Sequence, residues 1–183
     1  MQLVNTQDLI KKCQSQNKKA QEELYGRLSI PMMGVCLRYL KNREDAEEVL
    51  LSGFFKVFKN LEKFTYENEI AFFAWVKRIM INESLMLLRK NKQIQILAIN
   101  EDLDFEDELS SLNELETADI LKTIQQIPLG YRTVFNLYEV EGYSHREISK
   151  TLDISVGTSK SQLFKAKKML RELLESEHDG YGT

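Results

Sequence analysis

Proline and glycine are scarce in this chain, with 2 and 8 in 183 residues. A turn-rich β fold needs more of both, so helix is expected nearly throughout. Cysteine is almost absent too. Cys13 and Cys36 form no metal-type spacing with each other or with the two histidines, His145 and His178, so two buried thiols in a reducing cytoplasm are expected. No apolar run approaches the roughly 18 residues of a membrane helix. The opening "MQLVNTQDLI" carries an acid and lacks the basic-then-apolar order of a secretory signal. No glycine-rich phosphate loop, metal cluster or nucleophile beside a positioned base is present, so the chain is not read as an enzyme and no cofactor is implied. No internal repeat is found. What remains is a soluble, cytoplasmic, globular chain, 43% hydrophobic and 29% charged, long enough for one or two small domains.

The charge is unevenly placed. The net of −3 at first argues against nucleic acid, but residues 1–92 hold 16 bases and 11 acids, and residues 120–175 hold 9 and 6. Between them, residues 93–119 hold 9 acids and no base, and the tail at 176–183 adds two acids. Two basic blocks therefore flank an acidic segment, and local field governs contact with a phosphate backbone.

Apolar spacing predicts a first helix starting near Thr6, with Leu9, Ile10 and Cys13 on one face, broken at "NKK". A second helix runs from about Lys19 through Leu24, Leu28, Met32, Val35, Cys36, Tyr39 and Leu40, with Pro31 predicting a kink or a restart. Asn42 is placed to cap a third helix, "EDAEEVLLSGFFKVFKNL", whose face is Ala46, Val49, Leu50, Phe54, Val57, Phe58 and Leu61. After the loop "EKFTYENE", a fourth helix from about Ile70 to Lys90 carries Phe72, Phe73, Trp75, Val76, Ile79, Met80, Leu85 and Leu88. Residues 93–116, "QIQILAINEDLDFEDELSSLNELE", read as an acidic linker held extended by its like charges. Helical spacing resumes from Thr117 with Ile120, Leu121, Ile124 and Ile127. "PLGYR" reads as a turn before a further helix with Val134, Phe135, Leu137 and Tyr138.

The stretch "YSHREISKTLDISVGTSKSQLFKAKKML", residues 143–170, has the form of a helix-turn-helix. Ser144 and Glu147 make a capping box, and Ile148 and Leu152 share a face. "LDIS" is the turn. Asp153 stands where one residue should adopt a left-handed conformation that glycine takes most easily. Ser155 caps the second helix, where Val156, Leu163 and Leu170 are expected inward and Thr158, Ser159, Lys160, Gln162, Lys165 and Lys167 outward. From Ser155 to Arg171 there are five bases and no acid. That suits a helix in a major groove, with short polar groups for base edges and cations for phosphates, better than a solvated hairpin of mixed sign.

Residues 24–64, "LYGRLSIPMMGVCLRYLKNREDAEEVLLSGFFKVFKNLEKF", 72–92, "FFAWVKRIMINESLMLLRKNK", and 127–170, "IPLGYRTVFNLYEVEGYSHREISKTLDISVGTSKSQLFKAKKML", together resemble an extracytoplasmic-function (ECF) sigma factor of the sigma-70 superfamily. "GYRTVFNLYEVEGYSHREI" followed by "GTSKSQL" is similar to the version in Bacteroidetes-type members. The resemblance implies an all-α fold of two small helical domains joined by the acidic linker. Residues 1–92 would bind core RNA polymerase and melt the −10 element. Residues 93–116 would be the linker, and residues 117–175 a helix-turn-helix domain without a wing that reads the −35 element, followed by the tail at 176–183.

It further implies a polymerase-clamp contact within residues 45–58, through Asp45, Glu48, Leu51, Ser52 and Phe55. Here the chain has Leu51-Ser52 where the family usually has glutamine followed by an acid. The −10 element falls to Phe64, Thr65, Tyr66 and Asn68, which would take up a flipped base, with Asn82 opposite and Lys77, Arg78, Arg89 and Lys92 on phosphates. Trp75 is read as core because it continues the stripe of Phe72 and Ile79. The −35 element falls to Thr158, Ser159, Lys160, Ser161, Gln162, Lys165 and Lys167. The acidic linker reads either as an occupant of basic polymerase channels or as a solvated tether. His145 reads as a phosphate contact or as simply exposed. Core polymerase, promoter DNA and an anti-sigma factor are the implied partners, for a chain that is monomeric when free and does not enter the membrane. The competing reading is a helix-turn-helix regulator that does not recruit polymerase. Residues 24–92 separate the two, since such a regulator would carry a ligand pocket or dimerisation helix there.

Overall fold

A computed structural model describes residues 5–91 and 122–179, and among these every regular element is helical. The acidic linker, Lys92, Ile120 and Leu121 lie outside the described residues. The chain divides into two compact units, the first ending at Leu87.

In the first unit α1 spans Thr6–Gln14, α2 Lys18–Tyr39, α3 Arg43–Asn60 and α4 Glu69–Lys90, with a 3-10 turn at Leu61–Lys63. Asparagine starts each of the first three helices. The side chains of Asn5, Asn17 and Asn42 accept from backbone N–H groups of Gln7, Ala20 and Asp45, satisfying donors that a first turn leaves unpaired. Gln16, with φ at 59°, makes the sharp turn between α1 and α2. The restart considered at Pro31 does not occur, because α2 is continuous through that exposed residue.

Leu9, Ile10 and Cys13 of α1, Leu24, Met32, Val35, Cys36 and Tyr39 of α2, Val49, Leu50, Phe54 and Val57 of α3, and Phe72, Val76, Met80 and Leu85 of α4 form the core. Helices α3 and α4 meet closely at Gly53, where a Cβ would overlap the Met80 side chain. Lys56 pairs there with the buried Glu83 at 2.5 Å. Both cysteines are free thiols in this core, as expected. Burial pushes Cys36 up to about 12, and burial together with the Glu23 carboxylate pushes Cys13 up to about 11, so neither is a nucleophile at neutral pH.

In the second unit residues 122–126 are helical, α5 spans Leu129–Phe135 and continues as a π-helical turn at Asn136–Val140, α6 spans His145–Leu152 and α7 Val156–Asp179. "PLGYR" is therefore not a turn: Pro128 stands at the N-cap and the next four residues enter α5. Proline suits a helix start, where its missing N–H has no partner to lose. Arg132 of α5 is the largest fully buried side chain among the described residues, and its guanidinium donates to the Gln125 carbonyl at 3.1 Å. Burial lowers its pKa to about 10, which leaves it charged at neutral pH.

The turn between α6 and α7 forms as the sequence predicts. Ser144 and Glu147 make the capping box, and Asp153 takes φ 56° and ψ 47°. The Ser149 carbonyl accepts from the N–H groups of both Asp153 and Ile154, and the Ser149 hydroxyl donates to the Ile154 carbonyl at 2.6 Å. Because an L-residue is strained here, Asp153→Gly should stabilise the second unit by about 0.5 kcal/mol, after allowing for the greater freedom of glycine in the unfolded chain. Thermal unfolding followed by circular dichroism should show a rise of about 2–4 °C. A fall would mean that the carboxylate itself secures the turn.

Candidate nucleic-acid interface

The second helix of the motif, α7, starts cleanly because the Ser155 hydroxyl accepts from the Thr158 N–H at 2.9 Å and is 2.8 Å from the Thr158 hydroxyl. Its inward face differs from the one expected. Ser159, Gln162, Leu163 and Ala166 are buried, whereas Val156 is exposed and Leu170 half-buried. The buried face is centred roughly 80° round the helix from Val156. Ser159 and Gln162, expected outward, are therefore not available to DNA.

Ser159 serves a different purpose. Its hydroxyl is 2.9 Å from Nδ1 of His145, whose ring stacks on Tyr138 with centroids 4.4 Å apart. His145 is half-buried rather than simply exposed. It is a strut between the π-turn, α6 and α7. The π-turn also brings Glu139 to Lys167, at 2.6 Å. Lys165 lies over the Tyr131 ring, 5.7 Å from its centroid.

The outward stripe of α7 consists of Gly157, Lys160, Ser161, Phe164, Lys168 and Arg171, all exposed. Thr158 is half-buried beside it. On α6, Arg146 and Lys150 are exposed one turn apart. Sequence reasoning found Lys160 and Ser161 but missed Phe164, Lys168, Arg146 and Lys150. The signal for the first two was present: 157, 160, 161, 164, 168 and 171 follow a helical stripe free of acids. Phe164 was passed over because an aromatic is normally assigned to the core, yet it is 71% exposed.

In the first unit the expected residues fall on two surfaces. On α3, Glu48, Leu51, Ser52 and Phe55 are exposed in one stripe, with Leu51 at 62% and Phe55 at 68%. Asp45 is half-buried and tied to the Asn42 amide at 2.8 Å, so it belongs to the helix start. On α4, Arg78, Asn82 and Met86 follow one another at four-residue steps, all exposed, and Lys77 is half-buried. Arg89, also exposed, lies past Leu87 in the second unit and donates to the Thr151 carbonyl.

The loop before α4 holds its aromatics closely. Phe64 packs on Trp75 and Phe72, with centroids 4.6 Å and 5.4 Å away. Trp75 is half-buried rather than fully core. Thr65 and Asn68 are exposed and Tyr66 is half-buried. The Asn68 side chain is engaged, since its carbonyl accepts from the Ala71 N–H at 2.8 Å and caps α4. Among the described residues no cluster could hold a metal ion, and no helix is long and apolar enough to cross a membrane.

A helix-turn-helix with a basic outer stripe, preceded by a separate helical unit, has the form of a DNA-binding protein. The model of "Sigma-70 region 2" matches residues 24–94 and that of "Sigma-70, region 4" matches residues 117–170. An ECF RNA polymerase sigma-E factor of Haemophilus influenzae is 29% identical over 92% of this chain and 95% of its own length. An RNA polymerase sigma-H factor of Pseudomonas aeruginosa is 26% identical over 92% and 93%. Among solved structures, CnrH in complex with the cytosolic domain of CnrY matches with a TM-score of 0.50 at 21% identity, covering 92% of this chain and 96% of that one, a likeness of fold. The chain belongs to the sigma-70 family, in its ECF branch. It is an RNA polymerase sigma factor, a subunit for promoter-specific initiation of transcription.

Proposed function

We propose that the two units divide promoter recognition between them, as residues 1–92 and 117–175 joined by the linker at 93–116. The outward stripe of α7 reads the −35 element. Lys160 and Ser161 face base edges, Phe164 offers an apolar surface to a thymine methyl, and Lys168, Arg171, Arg146 and Lys150 meet phosphates. Thr158, Lys165 and Lys167 stand at the margins of that contact. Within the first unit, the exposed stripe of α3 docks on core RNA polymerase. Arg78, Asn82, Arg89 and Lys77 hold the −10 strand, while the loop at 64–68 takes up a flipped base between Thr65, Tyr66 and the Phe64–Trp75 stack. Asn68 shapes that loop as the cap of α4. The chain performs no chemistry of its own and works in the cytoplasm as a monomer until it joins polymerase or an anti-sigma factor. The phrase "GYRTVFNLYEVEGYSHREI" supports placing it with Bacteroidetes-type members.

The observation that carries this reading is the outer face of α7, exposed and without an acid from Gly157 to Arg171. Lys160→Ala tests it. Its affinity for a duplex bearing the −35 element should fall about 5- to 10-fold and core polymerase affinity should be unchanged. Equal loss of both would mean that the division of labour is wrong.

A further inference from the structure

Helix α1 precedes the stretch matched by the region 2 model, which begins at residue 24. It nonetheless reaches both ends of the loop that leads into α4. The Gln14 side-chain amide donates to the Leu61 carbonyl at 3.0 Å and to the Phe64 carbonyl at 3.3 Å. One amide nitrogen carries two N–H groups, and each finds a separate acceptor. Nearly the full length of α1 away, the Thr6 hydroxyl donates to the Glu69 carboxylate, at the first residue of α4. Leu9, Ile10 and Cys13 lie between Thr6 and Gln14 on the same face of α1 and are buried in the core, so the helix is a rigid mount.

The Gln14 contacts fall on the backbone of a loop that the Phe64 ring also anchors, through Phe72 and Trp75. Phe64 closes the 3-10 turn through its N–H to Leu61, and Asn68 caps α4. Gln14 ties the turn itself, so the Phe64 carbonyl and the peptide that carries Thr65 are held from the side. A loop that must receive an extruded base binds it more tightly when its shape is set beforehand, because less ordering remains to be done on capture.

We propose that α1 braces the base-capturing loop and that Gln14 is the positioning residue. This rests on the reading of residues 64–68 as the site of base capture. Gln14 touches no DNA. It acts by holding the Leu61 and Phe64 carbonyls. Gln14→Met keeps the volume and loses both donors, and Gln14→Glu keeps the shape and turns acceptors toward two carbonyls.

The test uses holoenzyme assembled from core polymerase and the full chain. The probe is the single-stranded non-template −10 segment of a promoter mapped by transcript 5′-end sequencing, intact and with an abasic site at each position in turn. Wild type should lose about tenfold in affinity at one abasic position. Both Gln14 variants should bind the intact strand about tenfold more weakly than wild type. They should lose little more at the same abasic position, with core affinity and −35 duplex affinity unchanged. If no abasic position matters to wild type, the base-capture reading falls and takes the brace with it. If one position does matter and Gln14→Met binds like wild type, the brace alone is overturned. Loss of core affinity in both variants would make Gln14 a residue of general packing and overturn the brace as well.

Discussion

Phe55→Asp should weaken binding to core RNA polymerase by at least about 100-fold and leave −35 duplex affinity and thermal stability within error of wild type. The argument begins with exposure. Phe55 and Leu51 are large apolar side chains left 68% and 62% open on a helix whose other face is fully packed. Neither takes part in the core, so replacing one costs the free protein little. A partner that covers them gains apolar burial with two anchors at its centre, the arrangement that concentrates binding energy in few residues. A carboxylate at position 55 would lose that contact and would itself have to be desolvated. Under the proposed docking, the stripe places Leu51-Ser52, where the resemblance expects an amide and an acid, in the same contact, and Leu51→Gln separates a weakened contact from one that uses the apolar side chain. Measurement of core affinity by fluorescence anisotropy for Phe55→Asp and Leu51→Gln checks both halves. Unchanged affinity in Phe55→Asp would remove α3 from the polymerase contact.

The second large effect lies in the other unit. Arg132→Ala should destabilise it by about 3–5 kcal/mol, through a cavity and the loss of the bond to the Gln125 carbonyl. Single domains have about 5–15 kcal/mol in all, so this is a large share of the unit's stability. Arg132→Met fills most of the volume and should cost about half as much. Loss of −35 binding in Arg132→Ala with core binding retained, together with a lowered unfolding midpoint, would confirm a structural role. A variant as stable as wild type that still fails to bind DNA would instead make Arg132 part of the reading surface.

Sequence patterns led correctly to the features set by local chemistry. The caps at Asn42, Ser144 and Ser155 depend on residues within one turn of each other, and Asp153 is forced left-handed by the turn itself. Legibility ended where polar residues are buried by tertiary contact. Ser159 and Gln162 mark the inner face of α7, and hydrophobic spacing cannot register them, so the expected face was turned toward Val156. Arg132 escaped notice for the same reason: an arginine is assigned to the surface unless something shows its partners. The π-turn at Asn136–Val140 leaves no compositional mark, yet it sets Tyr138 on His145 and Glu139 on Lys167. In the first unit the spacing agrees with the exposure of the residues named on α3 and α4, apart from the half-buried Asp45 and Lys77. It could not show that Phe64 is committed to Trp75, or that Asn68 caps α4.

Run-off transcription tests the central claim most directly. Core polymerase, the full chain and a linear template carrying a promoter mapped from transcript 5′ ends should give one discrete transcript, absent when either protein is omitted. Phe55→Asp should abolish it and Lys160→Ala should reduce it. A chain that binds the template and gives no transcript with core polymerase would contradict the account.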